Sequence, residues 1–531
     1  MSEPERSEHL ARYAGLTGAA TLVSRILGLL RDQVLAALFG AGNEMDAFVV
    51  AFRIPNLVRD LFAEGAMSAA FVPTFTGHLA RRGRADAWRL ANNVLTALLI
   101  VTGAIVAVGT IFAAPLATLY ARDYASVPGK LELTIRLARV VLPFLTLVAI
   151  AAAAMGMLNS LHHYFVPALS PAMFNLATIV CALALTPAMP TIGLPRIMAV
   201  AIGALVGGAG QVALQWPALH REGFRFRPKL DLHDPGLTRV LMLMGPGTIG
   251  LAATQVNVFV NTVLATGEGT GAVSWLNYAF RLMYLPTGLF GVSIATATVP
   301  AVSRHAARDD AAGVRSTLGE GLSLMFVLNV PATVGLIVLS QPIVRVIFER
   351  RAFLPSDTAA TAAALQFYAL GLLGYSIVRI ASPTFYALGD SRTPVVISVA
   401  SVVVNAVLNI VLARVLGYRG LALGTSIAAL FNAAGLLWLL HARLNGLDDR
   451  RVLSSLARIV IASLVMGMAA LAANDLLETW MAGDTFVQQA ARLLLTIISA
   501  LLVLGISAHL LRIREFREAL ALVAKRGGSG A

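Results

Sequence analysis

The chain has 531 residues, of which 57% are apolar and only 13% are charged, and its mean hydropathy is +0.77. Soluble domains carry about a quarter charged residues, and disordered chains combine low hydrophobicity with high charge, so this composition excludes both classes. The formal net charge of +13 does not indicate nucleic acid, because cytoplasmic loops of membrane proteins are rich in Lys and Arg.

Apolar runs of about 20 residues, the length that crosses a bilayer, recur along the chain between polar breaks. They predict an all-α polytopic membrane protein with fourteen transmembrane helices, over residues 14–38, 45–66, 90–114, 133–158, 165–186, 197–218, 238–265, 273–299, 318–340, 360–387, 394–414, 420–440, 455–475 and 489–511. The first two runs are the weakest by hydropathy because they carry charges. The polar N-terminus has no cleavable signal pattern, which predicts that the first helix stays in the mature protein.

Lys and Arg are concentrated in alternate loops, which predicts that these loops are cytoplasmic. The richest segments are 81–89, 220–234, 303–315, 443–451 and the tail 512–526. We therefore expect a multi-pass protein of the cytoplasmic membrane with both termini in the cytoplasm.

The sequence contains an internal repeat. VGTIFAAPLATLY (108–120) is similar to VGLIVLSQPIVRVIF (334–348). Four residue pairs keep a nearly constant offset of 221 or 227 positions: Pro115 with Pro342, Pro167 with Pro394, Gly203 with Gly424, and His220 with His441. The repeat predicts two pseudo-symmetric six-helix lobes, 1–220 and 221–445, followed by a C-terminal helix pair and tail over 446–531. Duplicated bundles of this kind bind substrate between the halves and rock around it.

Charged residues cluster in predicted helices 1, 2 and 8, where a charge inside the membrane is costly and usually faces a cavity or a partner. The arginines are Arg25, Arg31, Arg53, Arg59 and Arg281, and the nearby acids are Asp32, Asp46 and Glu64. Guanidinium groups bind phosphates bidentately and stay charged, so a cavity lined by the arginines predicts a diphosphate-bearing substrate. The alternative is that these arginines extend to the membrane interfaces or are neutralised by the acids.

Two pairs of asparagines lie at i, i+4 spacing on single helix faces: Asn257 with Asn261, and Asn405 with Asn409. They could form a polar or ion site, but hydrogen bonding between helices is the interpretation we favour, because no acid accompanies them.

Asp309–Asp310 and Asp448–Asp449 have the form of metal–diphosphate pairs, although each lies among loop arginines. The single cysteine, Cys181, excludes an internal disulfide framework and a cysteine metal cluster. We predict no resident metal or cofactor, and the chain has no P-loop and no HExxH motif.

Three segments resemble the MurJ/MviN family of bacterial lipid II flippases, in the multidrug/oligosaccharidyl-lipid/polysaccharide exporter superfamily. They are SRILGLLRD (24–32), DAFVVAFRIPNLVRDLFAEGAMSAAFVPTF (46–75) and SWLNYAFRLMYLPTGLFGVSIATATVP (274–300). The resemblance implies fourteen helices in two lobes plus a C-terminal pair whose groove holds a lipid tail. It also implies that Arg25, Arg31, Arg59 and Arg281 match the family's cavity arginines, with Arg53 at a basic position. Asp32, Asp46 and Glu64 match its acids.

The resemblance implies a transporter of the bacterial inner membrane, expected to act as a monomer. Its substrate would be lipid II, undecaprenyl-diphosphate-MurNAc-pentapeptide-GlcNAc, moved from the cytoplasmic to the periplasmic leaflet. Membrane lipids are the other expected partners, and nucleic acid is not one. Some relatives have acids where this chain has Phe280, Asn261 and Asn409, so the resemblance does not imply sodium coupling. Two alternatives remain: a related lipid-linked oligosaccharide flippase, and a polyprenyl-phosphate transferase that uses the loop aspartate pairs.

Overall fold

The computed structural model describes residues 3–60, 67–481 and 483–516, and all regular secondary structure in these ranges is helical. The predicted fold class, an all-α membrane protein, is confirmed. The described part of the first half contains α1 (Glu3–Phe39), α2 (Asn43–Arg59), α3 (Met67–Arg82), α4 (Arg84–Ile111), α5 (Ala113–Tyr120), α6 (Lys130–Val141), α7 (Phe144–Ser160), α8 (Phe165–Leu185), α9 (Met198–Arg221) and α10 (Pro235–Thr266).

The second half continues with ten more α-helices in the ranges that the structure describes. They are α11 (Ala272–Pro286), α12 (Val292–Ala306), α13 (Ala311–Val338), α14 (Ser340–Phe348), α15 (Pro355–Ala369), α16 (Leu372–Ala387), α17 (Arg392–Leu416), α18 (Tyr418–Leu444), α19 (Asp449–Trp480) and α20 (Phe486–Leu510). A π-helical turn, Thr287–Gly291, joins α11 to α12. α3 lies between predicted helices 2 and 3, where the sequence predicts no transmembrane span.

Ten helical segments of the described chain are long and apolar enough to cross a membrane. They are α4, α6 with α7, α8, α9, α13, α15 with α16, α17, α18, α19 and α20. These correspond to predicted helices 3–6 and 9–14, and the total of fourteen stays a prediction. Over their described residues, predicted helices 1, 2, 7 and 8 do not meet this measure, and helices 1, 2 and 8 are those that carry the candidate arginines. Charge lowers the hydropathy of a helix, so candidate cavity helices are the hardest to recognise as spans.

Helix boundaries repeat along the chain with the offset found in the sequence. α4 and α13 each have 28 residues, and their first residues, Arg84 and Ala311, are 227 positions apart. The short helices that follow, α5 and α14, start at Ala113 and Ser340 with the same offset. The two halves therefore have helices of equal length in α4 and α13, followed by a break at the corresponding position.

The contacts divide the chain into two units. The first comprises Met1–Ser274 with Arg350–Phe353, and the second comprises Trp275–Glu349 with Leu354–Ala531. The division into two six-helix lobes and a C-terminal pair stays a prediction.

Each unit contains a helix pair that packs through glycine. A Cβ at Gly203 on α9 would lie 3.0 Å from the Thr178 Cα on α8. In the second unit, a Cβ at Gly424 on α18 would collide with the side chain of Asn409 on α17. Gly203 and Gly424 are a predicted repeat pair, and small residues let membrane helices approach closely. The repeat therefore preserves a packing contact.

Candidate functional site: paired charges inside the helices

Two Arg–Asp doublets in the first unit form the same local ion pair. Nε and Nη2 of Arg31 donate to Oδ1 of Asp32 at 3.1 and 2.9 Å. Nε and Nη2 of Arg59 donate to Oδ1 of Asp60 at 3.0 and 2.8 Å. In each case the acid that follows the arginine holds one edge of the guanidinium. Such fork-like pairs fix the plane of the group as well as its position.

The surroundings of the two doublets differ. The Arg31 side chain is only 13% exposed, and its guanidinium lies over the ring of Phe174 on α8, 5.4 Å from the centroid. The Arg59 side chain is 27% exposed, and Asp60 is 34% exposed. Nε2 of Gln255 on α10 donates to the second oxygen of Asp60 at 3.2 Å. α1 and α2 thus present two positioned guanidinium groups, each supported by a neighbouring helix.

The other arginines of the first unit are less enclosed. Arg25 is exposed among exposed apolar side chains, including Leu22 and Ile26 at 51% each. Arg53 is partly buried on α2 and lies within electrostatic range of Tyr120 at the end of α5. Arg25 is therefore in a different environment from Arg31, although both lie on α1. Glu64, the third predicted acid, lies outside the described residues.

Asp46 lies at the centre of a buried polar cluster in the first unit. Its carboxylate is fully buried and accepts four hydrogen bonds. Nζ of Lys130 donates at 2.8 Å, the Gly271 N–H at 2.7 Å, and the N–H and hydroxyl of Ser274 at 3.0 and 2.7 Å. The Lys130 ammonium also lies 4.0 Å from the centroid of the Tyr124 ring. Asp46 therefore ties the start of α2 to the starts of α6 and α11.

Lys130 and Ser274 were missed by the sequence analysis. Lysine is rare in this chain, where arginine supplies nearly all of the positive charge. A single lysine at the start of an apolar helix is the sequence feature that could have indicated Lys130 as the partner of a buried acid.

Arg281 lies on α11 of the second unit and is exposed. Three residues further along the same helix, the hydroxyl of Tyr284 accepts a hydrogen bond from Arg379 on α16. The Arg379 guanidinium also lies 5.5 Å from the Tyr284 ring centroid. Phe280 packs in the same group, 5.8 Å from Tyr284 and 5.4 Å from Tyr368 between ring centroids. Arg379 thus joins the helix of Arg281 through Tyr284, a link that the sequence analysis did not make.

The asparagine pairs serve helix packing where their contacts are described. Asn405 and Asn409 on α17 are buried. The Asn409 amide donates to Asn405 at 3.1 Å, and Asn405 donates to Thr425 on α18 at 3.4 Å. Asn257 and Asn261 lie on α10 and are partly buried. The contacts of α17 favour hydrogen bonding between helices, and an ion site at these residues stays a hypothesis.

One aspartate of each loop pair contacts a histidine, and Asp310 also accepts a hydrogen bond at the start of a helix. Asp310 accepts from the Gly313 N–H at 2.8 Å and contacts His305 at 2.8 Å. These two hydrogen bonds, the first being the larger cause, lower the pKa of Asp310. Asp449 contacts His441 at 2.8 Å. These contacts favour a structural role over the metal–diphosphate chemistry of a transferase.

A third carboxylate–histidine contact joins two loops of the first unit. Glu222, which follows α9, contacts His163 at 2.9 Å and Arg84 at 3.1 Å. The hydrogen bond to His163 is the largest cause that lowers the pKa of Glu222. Among the described residues there is no group of three His, Cys, Asp or Glu side chains placed to hold a metal ion.

An apolar groove of about 530 Å³ runs between α13, α19 and α20 in the second unit. Small residues on all three helices, including Gly335, Ala470 and Ala500, open the space, and Pro286 at the end of α11 contributes to its wall. A Cβ at Gly467 would lie 2.7 Å from Val334, so α13 and α19 are in close contact beside the groove. The groove has the apolar lining and the elongated helix walls that suit a hydrocarbon chain.

Comparisons with known proteins cover nearly the whole chain. The family model described as "Lipid II flippase MurJ" matches residues 35–491. A probable lipid II flippase MurJ of Vibrio cholerae is 34% identical over 519 residues, covering 96% of this chain and 97% of the relative. The lipid II flippase MurJ of Burkholderia cenocepacia is 34% identical over 437 residues, covering 80% of this chain and 82% of the relative.

Solved structures give the same result. A lipid II flippase MurJ in an inward closed conformation matches with a TM-score of 0.76 and 26% identity, covering 93% of this chain and 99% of that chain. An inward-facing multidrug transporter of the MATE family matches with a TM-score of 0.67 at 16% identity, covering 82% of this chain and 99% of that chain. The second likeness shows a shared fold alone.

Proposed function

The chain belongs to the family of the lipid II flippase MurJ, and from this membership we propose that it carries lipid II from the cytoplasmic to the periplasmic leaflet. Members of this family are named as flippases, which are transporters and not enzymes. In the proposed cycle the protein opens alternately to the two sides of the bacterial inner membrane. The diphosphate headgroup occupies a cationic cavity while the polyprenyl tail stays in an apolar environment.

The observation that carries the proposal is the pair of positioned guanidinium groups on α1 and α2. Arg31 and Arg59 are held by Asp32 and Asp60, so their planes are set before substrate arrives. Preorganised donors bind an anion without the entropic cost of ordering flexible side chains. We infer that Arg31, Arg59 and Arg281 contact the diphosphate, with Arg25 and Arg53 adding to the positive field.

Arg379 extends this proposal to the second unit. Its contact with Tyr284 brings a second arginine to the helix of Arg281. Arginine over an aromatic ring stays charged and is less strongly hydrated than an ammonium. We propose that Arg379 positions Tyr284 and adds charge on the path of the headgroup.

The apolar groove between α13, α19 and α20 is the proposed site for the lipid tail. Its wall includes Pro286, which lies five residues after Arg281 on α11. A headgroup at Arg281 and a tail in the groove would therefore share one helix. We also propose that the cluster around Asp46 keeps the transporter closed on one side of the membrane, because it joins the starts of α2, α6 and α11.

The test is complementation in cells depleted of their own lipid II flippase. Outer-leaflet lipid II is measured with a reagent that cannot cross the membrane, alongside the total lipid II pool. Wild type should restore the outer pool, whereas Arg59→Ala and Arg281→Ala should leave lipid II in the inner leaflet at normal expression. Arg221→Ala, an exposed arginine outside the candidate site, is the matched control. Full transport by Arg281→Ala would refute the cationic-cavity mechanism, and failure of the wild type would refute the function itself.

A further inference from the structure

A basic pocket lies at one end of the C-terminal helix pair, outside every part of the proposed flipping path. The first turns of α19 contribute three of its arginines and the segment after α20 contributes two: Arg450, Arg451, Arg458, Arg512 and Arg514. They surround a cavity of about 620 Å³. Among the described residues that line it, Glu515 is the one acid, so this part of the chain gives the basic pocket a large excess of positive charge.

Ser455, one of the residues that line the basic pocket, has a buried hydroxyl without a hydrogen-bond partner among the described residues. Ser455 is 6% exposed, and its hydroxyl makes no hydrogen bond to any residue that the structure describes. A buried hydroxyl without a partner is destabilising. Since a serine hydroxyl can rotate and donate to an anionic oxygen, a phosphate in the pocket would offer it a partner once it turns toward the cavity.

The arginines of the basic pocket retain capacity for an anion. Arg458 donates to the Leu511 carbonyl at 3.5 Å, and Arg451 donates to Glu320 at 3.5 Å. Both contacts are long, and each uses one of the five N–H donors of a guanidinium. Like charges gathered around one cavity repel each other, and an anion between them removes that repulsion.

Exposed apolar side chains flank the basic pocket on both helices. Leu453 on α19 is 64% exposed, and Leu510 on α20 is 74% exposed. Both helices are apolar enough to cross a membrane, so these side chains are expected to meet acyl chains. If α19 and α20 span a bilayer, the arginines in the first turns of α19 and just after α20 would lie near the lipid phosphate groups. Basic pockets between transmembrane helices bind phosphate-bearing headgroups at this depth.

We propose that the basic pocket binds the phosphate of an acidic phospholipid headgroup. The arginines of α19 and those of residues 512–514 contact the phosphate oxygens, and the Ser455 hydroxyl donates to one of them. The bound lipid thereby joins the start of α19 to the segment after α20. This proposal requires that the helix pair spans a bilayer, and it does not depend on lipid II as the transported substrate.

The backbone at Arg512 provides a variant that separates binding from folding. Arg512 has φ +52°, in the left-handed region that favours glycine. Arg512→Gly therefore removes one guanidinium while relieving backbone strain. Each arginine near a membrane surface strengthens binding of an anionic headgroup roughly five-fold. We expect about five-fold weaker lipid binding by Arg512→Gly and about a hundred-fold weaker binding when Arg450→Gln and Arg458→Gln are added.

The experiment uses the full-length protein in detergent, titrated with phosphatidylglycerol, with phosphatidylcholine and with inorganic phosphate. Native mass spectrometry counts bound lipid, and thermal unfolding measures its stabilising effect. Wild type should bind phosphatidylglycerol in preference to phosphatidylcholine. Arg512→Gly should bind it more weakly while melting no lower than wild type without lipid. Ser455→Ala should also bind more weakly, and Arg221→Gln, an exposed arginine outside the pocket, should match wild type.

Three outcomes would overturn the proposal. Equal binding of the neutral and acidic lipids would show that the arginines do not recognise a headgroup charge. Stabilisation by inorganic phosphate equal to that by lipid at the same concentration would assign the pocket to a soluble anion. If Arg221→Gln and Arg512→Gly weakened lipid binding equally, the cause would be the net charge of the protein and not the basic pocket.

Discussion

Replacement of Lys130 by methionine tests the buried cluster at Asp46 directly. Methionine keeps most of the side-chain length and removes the ammonium. The carboxylate of Asp46 is fully buried and the Lys130 side chain is 1% exposed, so water cannot replace the lost partner. Removal of one member of a buried ion pair costs about 3–5 kcal/mol. Because the hydrogen bonds from Gly271 and Ser274 remain, we expect the lower end, about 3 kcal/mol.

The melting temperature converts this energy into a measurement. Unfolding entropy of about 2.1 cal/mol/K per residue gives roughly 1.1 kcal/mol/K for a chain of this length, so Lys130→Met should melt about 3 °C lower. Thermal unfolding of purified protein, followed by circular dichroism in one detergent, reports the shift. Arg136→Met is a control that also removes one positive charge from α6, at an exposed position.

A double-mutant cycle then isolates the pair. Asp46→Asn alone leaves the Lys130 charge buried, so it should also destabilise the protein. The double variant lacks both charges, and its loss should be smaller than the sum of the single losses by at least about 1.5 kcal/mol. Additive losses, or a Lys130→Met variant that melts within the error of wild type, would refute the argument that this ion pair holds α2 against α6.

Three further predictions concern the arginine doublet, the groove and pH. Asp60→Asn keeps the guanidinium before it but loosens its position, so lipid II transport should fall about ten-fold or more at normal expression. Asp475→Asn, on an exposed surface, should transport normally, and an unaffected Asp60→Asn would contradict the role. Gly335→Leu should fill the apolar groove and reduce transport without lowering the melting temperature, because a Cβ there meets open space. Gly103→Leu, equally open but outside the groove, should transport normally. Equal transport by the two variants would show that the groove does not hold the lipid tail. The lowered pKa of Glu222 contributes stability that is present above its unfolded pKa near 4.5 and is lost as pH falls through the folded value. The melting temperatures of wild type and Glu222→Gln should therefore differ at pH 7, and this difference should shrink as the pH falls below 4.5 toward the folded pKa. A difference that persists unchanged in strong acid would contradict this assignment.

The helical class and the repeat could be predicted because both depend on local sequence. Apolar runs of the length of a bilayer form helices wherever they occur, and the 227-residue offset reappears in the starts of α4 and α13. The Arg31–Asp32 pair is also local, since adjacent residues on one helix form it. Asp60 holds Arg59 in the same way but was not among the predicted acids. The family resemblance rests on the same segments, and the comparisons over residues 35–491 confirm it.

Tertiary packing alone decided which partners meet across the chain. Asp46 contacts Lys130 and Ser274, which are 84 and 228 positions away, and Arg379 contacts Tyr284 from another helix. The lining of the basic pocket also comes from two segments that are distant in the sequence, the start of α19 and the residues after α20. The spacing of residues along one helix predicts which of them share a face, but not which helix covers that face. The physical reason is that a buried charge needs a partner of opposite charge, and the packing of the helices decides which residue is close enough to be that partner.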